Sequence, residues 1–147
     1  MKKINRRTNL DRPYSSGLYT EAGMRSFAMS ALRRARWGPK VDVIKRAKVG
    51  PGINPATGHK CILHKCEECS GEFPKSSMKA DHVHPVIPIE HNWADDPNSW
   101  LGYNWTEVMK RLWIEVGDGW SVICEGCHQI KSNEEKKERL AVKSRKG

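Results

Sequence analysis

Four cysteines fall into two pairs of equal spacing, Cys66-x-x-Cys69 in CEEC and Cys124-x-x-Cys127 in CEGC. A tight CxxC knuckle presents two thiolates to one ion, and two knuckles complete a tetrahedral zinc site. The residue directly after the second pair is His128. A site filled by four thiolates leaves this imidazole for other chemistry. A second group of reactive residues stands in ADHVHPV, with Asp81, His82 and His84. On a strand, neighbouring side chains point to opposite faces, so Asp81 and His82 diverge. An Asp from the strand and a His from a helix could hold one hard or borderline cation. The adjacent His82, left unligated, could then deprotonate a water for attack on a phosphodiester. His84 is expected to support that site or face a phosphate. His59, His64 and His91 read as ordinary polar histidines, and Cys61 as a buried strand cysteine.

These residues need elements to hold them. KCILHKC leads into the first knuckle as a strand, and a second strand runs from Met78 to Val83 until Pro85 breaks it. NWTEVMKRLW carries an apolar stripe at Val108, Met109 and Leu112, and Asn104 with Glu107 resembles a capping box. GWSVICEG is a third strand, and Cys127 to about Leu140 is a charged helix. Upstream, Met24, Phe27, Ala28, Ala31, Leu32 and Ala35 recur at helical spacing between Thr20 and Trp37, and Gly38 and Pro39 stop that helix. A short helix is expected from Val41 to Val49, then a turn-rich linker, GPGINPATGHK. The expected organisation is a basic arm and helical extension over residues 1–57 and a chemistry-bearing domain over residues 58–147.

The 147 residues suit one domain with a small appended element. Net charge is +9, unevenly spread: residues 1–60 hold 14 Lys/Arg against 3 Asp/Glu, residues 61–130 hold 5 against 11, and residues 131–147 hold 7 against 3. Basic ends around an acidic middle suit a polyanionic partner and a cation site between. No stretch is long and apolar enough to span a membrane. The basic start has no apolar run behind it, so no secretory signal is expected. CxxC pairs favour metal over disulfides, and the expected compartment is the reducing cytoplasm.

ADHVHPV followed by ICEGCHQIKS resembles the HNH endonucleases, the ββα-metal nucleases. More narrowly, it resembles the small phage HNH proteins that carry a CxxC pair on either side of the motif. Cys66, Cys69, Asp81, His82, Pro85, Trp105, Arg111, Cys124, Cys127, His128 and Lys131 fit the pattern, over roughly residues 58–137. The resemblance implies an α+β fold: a small ββα-metal core stapled by a four-cysteine zinc site, with the basic helical extension outside it. It implies a metal-dependent DNA endonuclease in which His82 is the general base. Asp81 and His128 would hold a catalytic Mg2+, Mn2+ or Ni2+, and Cys66, Cys69, Cys124 and Cys127 a structural Zn2+. DNA is the implied partner, through Lys2, Lys3, Arg6, Arg7, Arg33, Arg34, Arg36 and Lys131. A phage terminase or another DNA-processing protein is a further implied partner, and the bacterial host cytoplasm the setting for a phage-encoded chain. The alternative is a non-catalytic zinc-stabilised DNA-binding module, or an accessory subunit of a phage DNA-processing or packaging machine. The chain departs from the pattern at Gly119, where the family carries an Asn that ties its loop to the site. Sequence preference and oligomeric state have no signature in the chain.

Overall fold

The computed structural model describes residues 11–90 and 96–146. The basic residues Lys2, Lys3, Arg6 and Arg7, and also His91, lie outside them. The protein is of mixed α and β structure. Its described residues fall into two compact units, one built from the chain up to Ala35 and from residue 96 to Asn104, the other from Arg36 to residue 90 and from Trp105 onwards. No helix among the described residues is long and apolar enough to cross a membrane.

The smaller unit is organised by helix α1, Glu21–Arg34. Thr20 starts it in extended conformation and accepts a hydrogen bond from the Gly23 amide at 3.0 Å, satisfying one of the orphan donors of the first turn. Arg25 pairs with Glu21 one turn back and also donates to the Leu101 carbonyl. Leu101 is buried at a φ of 59°, so the 3-10 turn at Trp100–Gly102 is held by packing against backbone preference.

The larger unit begins with helix α2, Gly38–Arg46, which has Pro39 in its first turn where no amide is needed. Strands β1 (Lys48–Ile53), β2 (Lys60–Lys65) and β3 (Glu72–Pro74) form an antiparallel sheet in that order. β1 occupies part of the stretch expected to be a linker. Pro51 and Gly52 pair there with Ile62 and Cys61, and Pro51 is tolerated because β1 is an edge strand. The boundary expected between residues 57 and 58 thus falls in the turn of a β-hairpin, inside one unit.

A second ribbon pairs β4 (Met78–His82) antiparallel with β5 (Trp120–Cys124). Its register sets Met78 against Cys124, Asp81 against Ser121 and His82 against Trp120. The connection between the two strands contains helix α3, Trp105–Leu112, whose Val108 and Leu112 are buried as the stripe required. Helix α4, Glu125–Lys146, leaves β5 without a break. Glu125 at its start and Lys143, Arg145 and Lys146 at its end match the helix dipole. The core of the unit joins Val43 and Ala47 to Cys66, Met78, Trp120, Val122, Ile123 and Cys124. Helix α2, expected in the extension, therefore packs into the same core as the cysteines.

Candidate metal and catalytic site

β2 ends directly before Cys66, and β5 ends on Cys124. Their termini bring the two CxxC segments together, so the Sγ atoms of Cys66, Cys69, Cys124 and Cys127 all lie within 4.8 Å of one another. Among the described residues this is the only group of three or more Cys, His, Asp or Glu side chains placed to share an ion. Amides turn inward on the sulfurs: Cys69 and Cys124 donate to Cys66 Sγ at 3.5 and 3.3 Å, and Cys127 donates to Cys124 Sγ at 3.4 Å. Burial alone would raise the Cys66 thiol, but the amides of Cys69, Cys124 and Glu68 outweigh it and bring its pKa down to about 6. Cys127 is pushed up to about 12, first by its hydrogen bond with Cys124, then by burial and by the Cys69 and Cys66 sulfurs. Thiolates crowded together with no countercharge hold protons back; a dication removes that penalty. The cluster could hold a metal ion such as zinc.

Asp81 and His82 close strand β4. His82 Nε2 lies 2.8 Å from the Leu112 carbonyl. A carbonyl only accepts, so Nε2 carries the proton and the lone pair of the neutral ring sits on Nδ1. The imidazole packs on the Trp120 ring at 4.2 Å between centroids. Trp120 in turn donates its indole N–H to the Ile114 carbonyl, which also accepts from Trp37. The ring of His82 is thus fixed by an α3 carbonyl on one side and a buried indole on another.

Lys131 on α4 reaches the Asp81 carboxylate at 2.8 Å and donates to the His82 carbonyl at 2.5 Å. This lays α4 along the end of β4. His128 precedes Lys131 by three positions, one helical turn, and is half-buried. Lys131, expected at the DNA, pairs here with Asp81. His84 is exposed, and Arg111 holds the chain just beyond it through the Pro85 carbonyl at 2.6 Å. Arg33 and Arg34 are exposed in the last turn of α1, and Arg36 is exposed after it. Two blander readings change. Cys61 is half-buried and outside the cluster. His64, expected to be an ordinary polar residue, is buried, because it shares a face of β2 with Cys66.

Two residues of this site carried no sequence signal. Arg46, in the last turn of α2, donates to Glu67, to the Gly117 carbonyl at 2.8 Å and to the Trp120 carbonyl at 2.5 Å. Glu67 lies inside the first knuckle and accepts the Val122 amide at 3.0 Å. Their spacing of 21 positions belongs to no local pattern. Gly119, the position where the family Asn was expected, is closed by packing: a Cβ there would lie 2.6 Å from Ile114 Cγ2. Its carbonyl accepts the Val83 amide at 3.0 Å, extending the ribbon past His82.

Compared with protein-family models, curated proteins and solved structures, the chain matches none.

Proposed function

We propose that the protein is a metal-dependent DNA endonuclease with a ββα-metal core of the HNH kind, stapled by a four-cysteine zinc site. One observation carries the reading. Strand β4 ends on Asp81 and His82, strand β5 runs antiparallel beside it, and α4 lies against that end through the Lys131–Asp81 contact. His128 stands on the same helix one turn before Lys131, and on this reading it joins Asp81 in holding an ion beside a base, His82. The Asp81 carboxylate already accepts a cation, the Lys131 ammonium, and an oxygen–nitrogen donor pair suits Mg2+, Mn2+ or Ni2+ better than a thiolate metal. The four thiolates suit zinc.

In this reading His82 Nδ1 takes the proton of a water as it attacks phosphorus, while the Leu112 carbonyl keeps the ring oriented and stabilises the imidazolium. A bound divalent ion supplies charge stabilisation at the phosphate and at the leaving 3′ oxygen. Arg33, Arg34 and Arg36, with Lys2, Lys3, Arg6 and Arg7, are proposed to contact phosphates, which position a duplex without reading its sequence. One catalytic centre per chain cuts one strand, so double-strand cleavage takes two chains or two encounters.

A second reading has one observation in its favour. The Lys131–Asp81 ion pair satisfies the carboxylate without a metal, as a zinc-stabilised DNA-binding module or an accessory subunit of a DNA-processing machine would require. Relaxation of supercoiled plasmid across a panel of divalent metals separates the two. The endonuclease reading expects metal-dependent nicking by the wild-type protein and none by His82→Ala, with both proteins binding DNA alike. Conversion by neither favours the binding module, and equal conversion by both removes His82 as the base.

A further inference from the structure

The side chain that ties α2 to the cysteine knuckle and to the start of β5 does so on backbone atoms flanking Trp120, the residue beneath His82. Arg46 gives Nε and Nη2 to Glu67 Oε1 at 3.0 and 2.8 Å, and Nη2 to Glu67 Oε2 at 3.1 Å. The same guanidinium gives Nη1 to the Gly117 carbonyl and Nη2 to the Trp120 carbonyl. Glu67 completes the figure by accepting the Val122 amide. Both charged side chains are more than a third exposed. An exposed ion pair alone would contribute little. These donors, though, are spent on carbonyls of a turn that a merely stabilising pair has no need to reach.

That turn governs where His82 stands. Gly117 and Trp120 bracket Gly119, whose carbonyl holds the Val83 amide next to His82. Trp120 pairs with His82 in the ribbon register, and its ring lies 4.2 Å from the imidazole. A shift of the 117–120 backbone would move the indole, and with it the ring whose Nε2–H must meet the Leu112 carbonyl. We infer that Arg46 and Glu67 form a positioning clamp for His82, coupling the first cysteine knuckle to the placement of the proposed base. The inference rests on the endonuclease reading for the role of His82, but the clamp itself is a claim about the ring's placement. Lysine cannot replace Arg46, because one ammonium cannot span both Glu67 oxygens and both carbonyls.

The test uses the full-length, metal-loaded chain as wild type, Arg46→Lys, Arg46→Ala and Glu67→Gln. Bound metal per chain and far-ultraviolet circular dichroism report the fold. Long-range 15N–1H correlation of the His82 imidazole reports its tautomer, a signal that loss of stability alone does not move. Nicking of supercoiled plasmid gives kcat and KM. The clamp predicts that variants retaining metal and fold lose the dominant Nε2–H tautomer of His82. Their kcat should fall about tenfold to a hundredfold with KM little changed, the signature of a displaced catalytic group. An unchanged His82 signal in any metal-retaining Arg46 variant overturns the clamp. Loss of metal in all three variants also overturns it, by making the pair a folding element only. A wild type that does not nick, with a His82 signal that still depends on Arg46, leaves the clamp standing and removes the endonuclease reading. A wild type that nicks, with variants that keep both signal and rate, does the reverse.

Discussion

Lys131 holds the Asp81 carboxylate at 2.8 Å, so a monovalent cation stands where the proposed divalent ion would be bound. The two compete. Removing the ammonium in Lys131→Met should lower the Mn2+ concentration needed for half-maximal nicking without changing the fold. Titration of nicking rate against Mn2+ reads this directly, and an unchanged midpoint would show that the ion pair does not compete. Gly119 shows why a residue can look like a defect in sequence and be a requirement in structure. It is not among the glycines with positive φ, yet any side chain there meets Ile114. Gly119→Asn is therefore expected to destabilise by about 1–3 kcal/mol through overpacking. Gly119→Ala should show the same direction in a thermal melt. An Asn variant of wild-type stability with faster nicking would contradict that account.

At the scale of elements, β2, β4, β5 and α4 were legible because each is anchored by a residue whose chemistry is strict. The CxxC pairs fix where two strands end, and the alternation of β4 fixes which residues can share a face. β1 was not legible: Gly50, Pro51 and Gly52 read as turn residues, and only pairing with β2 makes them a strand. The role of α2 was hidden for a different reason. Its contribution, Arg46, is expressed through carbonyls 71 and 74 positions away, which no local periodicity can announce. Packing of α2 and both strand ends around the cysteines predicts that metal and fold are coupled. Chelation should release one zinc per chain and abolish the cooperative thermal transition, measured by elemental analysis and circular dichroism. A metal-free protein with an unchanged spectrum would count against the zinc assignment. The backbone amides lower the Cys66 thiol to about 6 and the neighbouring sulfurs raise Cys127 to about 12, so metal uptake at neutral pH should release protons from the cluster, and no release would contradict thiolate ligation. Calorimetry in buffers of different ionisation enthalpy counts the protons released.

For the whole molecule, the proposed reading requires a chain with an acidic middle to meet a polyanion. Residues 1–60 carry 14 Lys/Arg against 3 Asp/Glu and residues 131–147 carry 7 against 3, and these flank the excess of carboxylates in residues 61–130. On the proposed reading the excess cations bring duplex DNA to the site, each neutralised phosphate adding about 0.9 to the slope of log affinity against log salt. Deleting residues 1–10 removes Lys2, Lys3, Arg6 and Arg7 and none of the described elements. The shortened protein should keep its zinc, bind labelled duplex more weakly at moderate salt and show a shallower salt slope in fluorescence anisotropy. Superimposable salt series would transfer the DNA contact to Arg33, Arg34 and Arg36. The claim on which the rest depends is that the His82 imidazole, held by Leu112 and Trp120, takes the proton of the attacking water. The measurement that reaches it most directly is nicking by His82→Ala with and without free imidazole in solution, at saturating Mg2+. The account predicts that the variant is inactive alone and regains strand cleavage as imidazole is added, while wild type is unaffected. A variant that cuts at the wild-type rate without imidazole would contradict it.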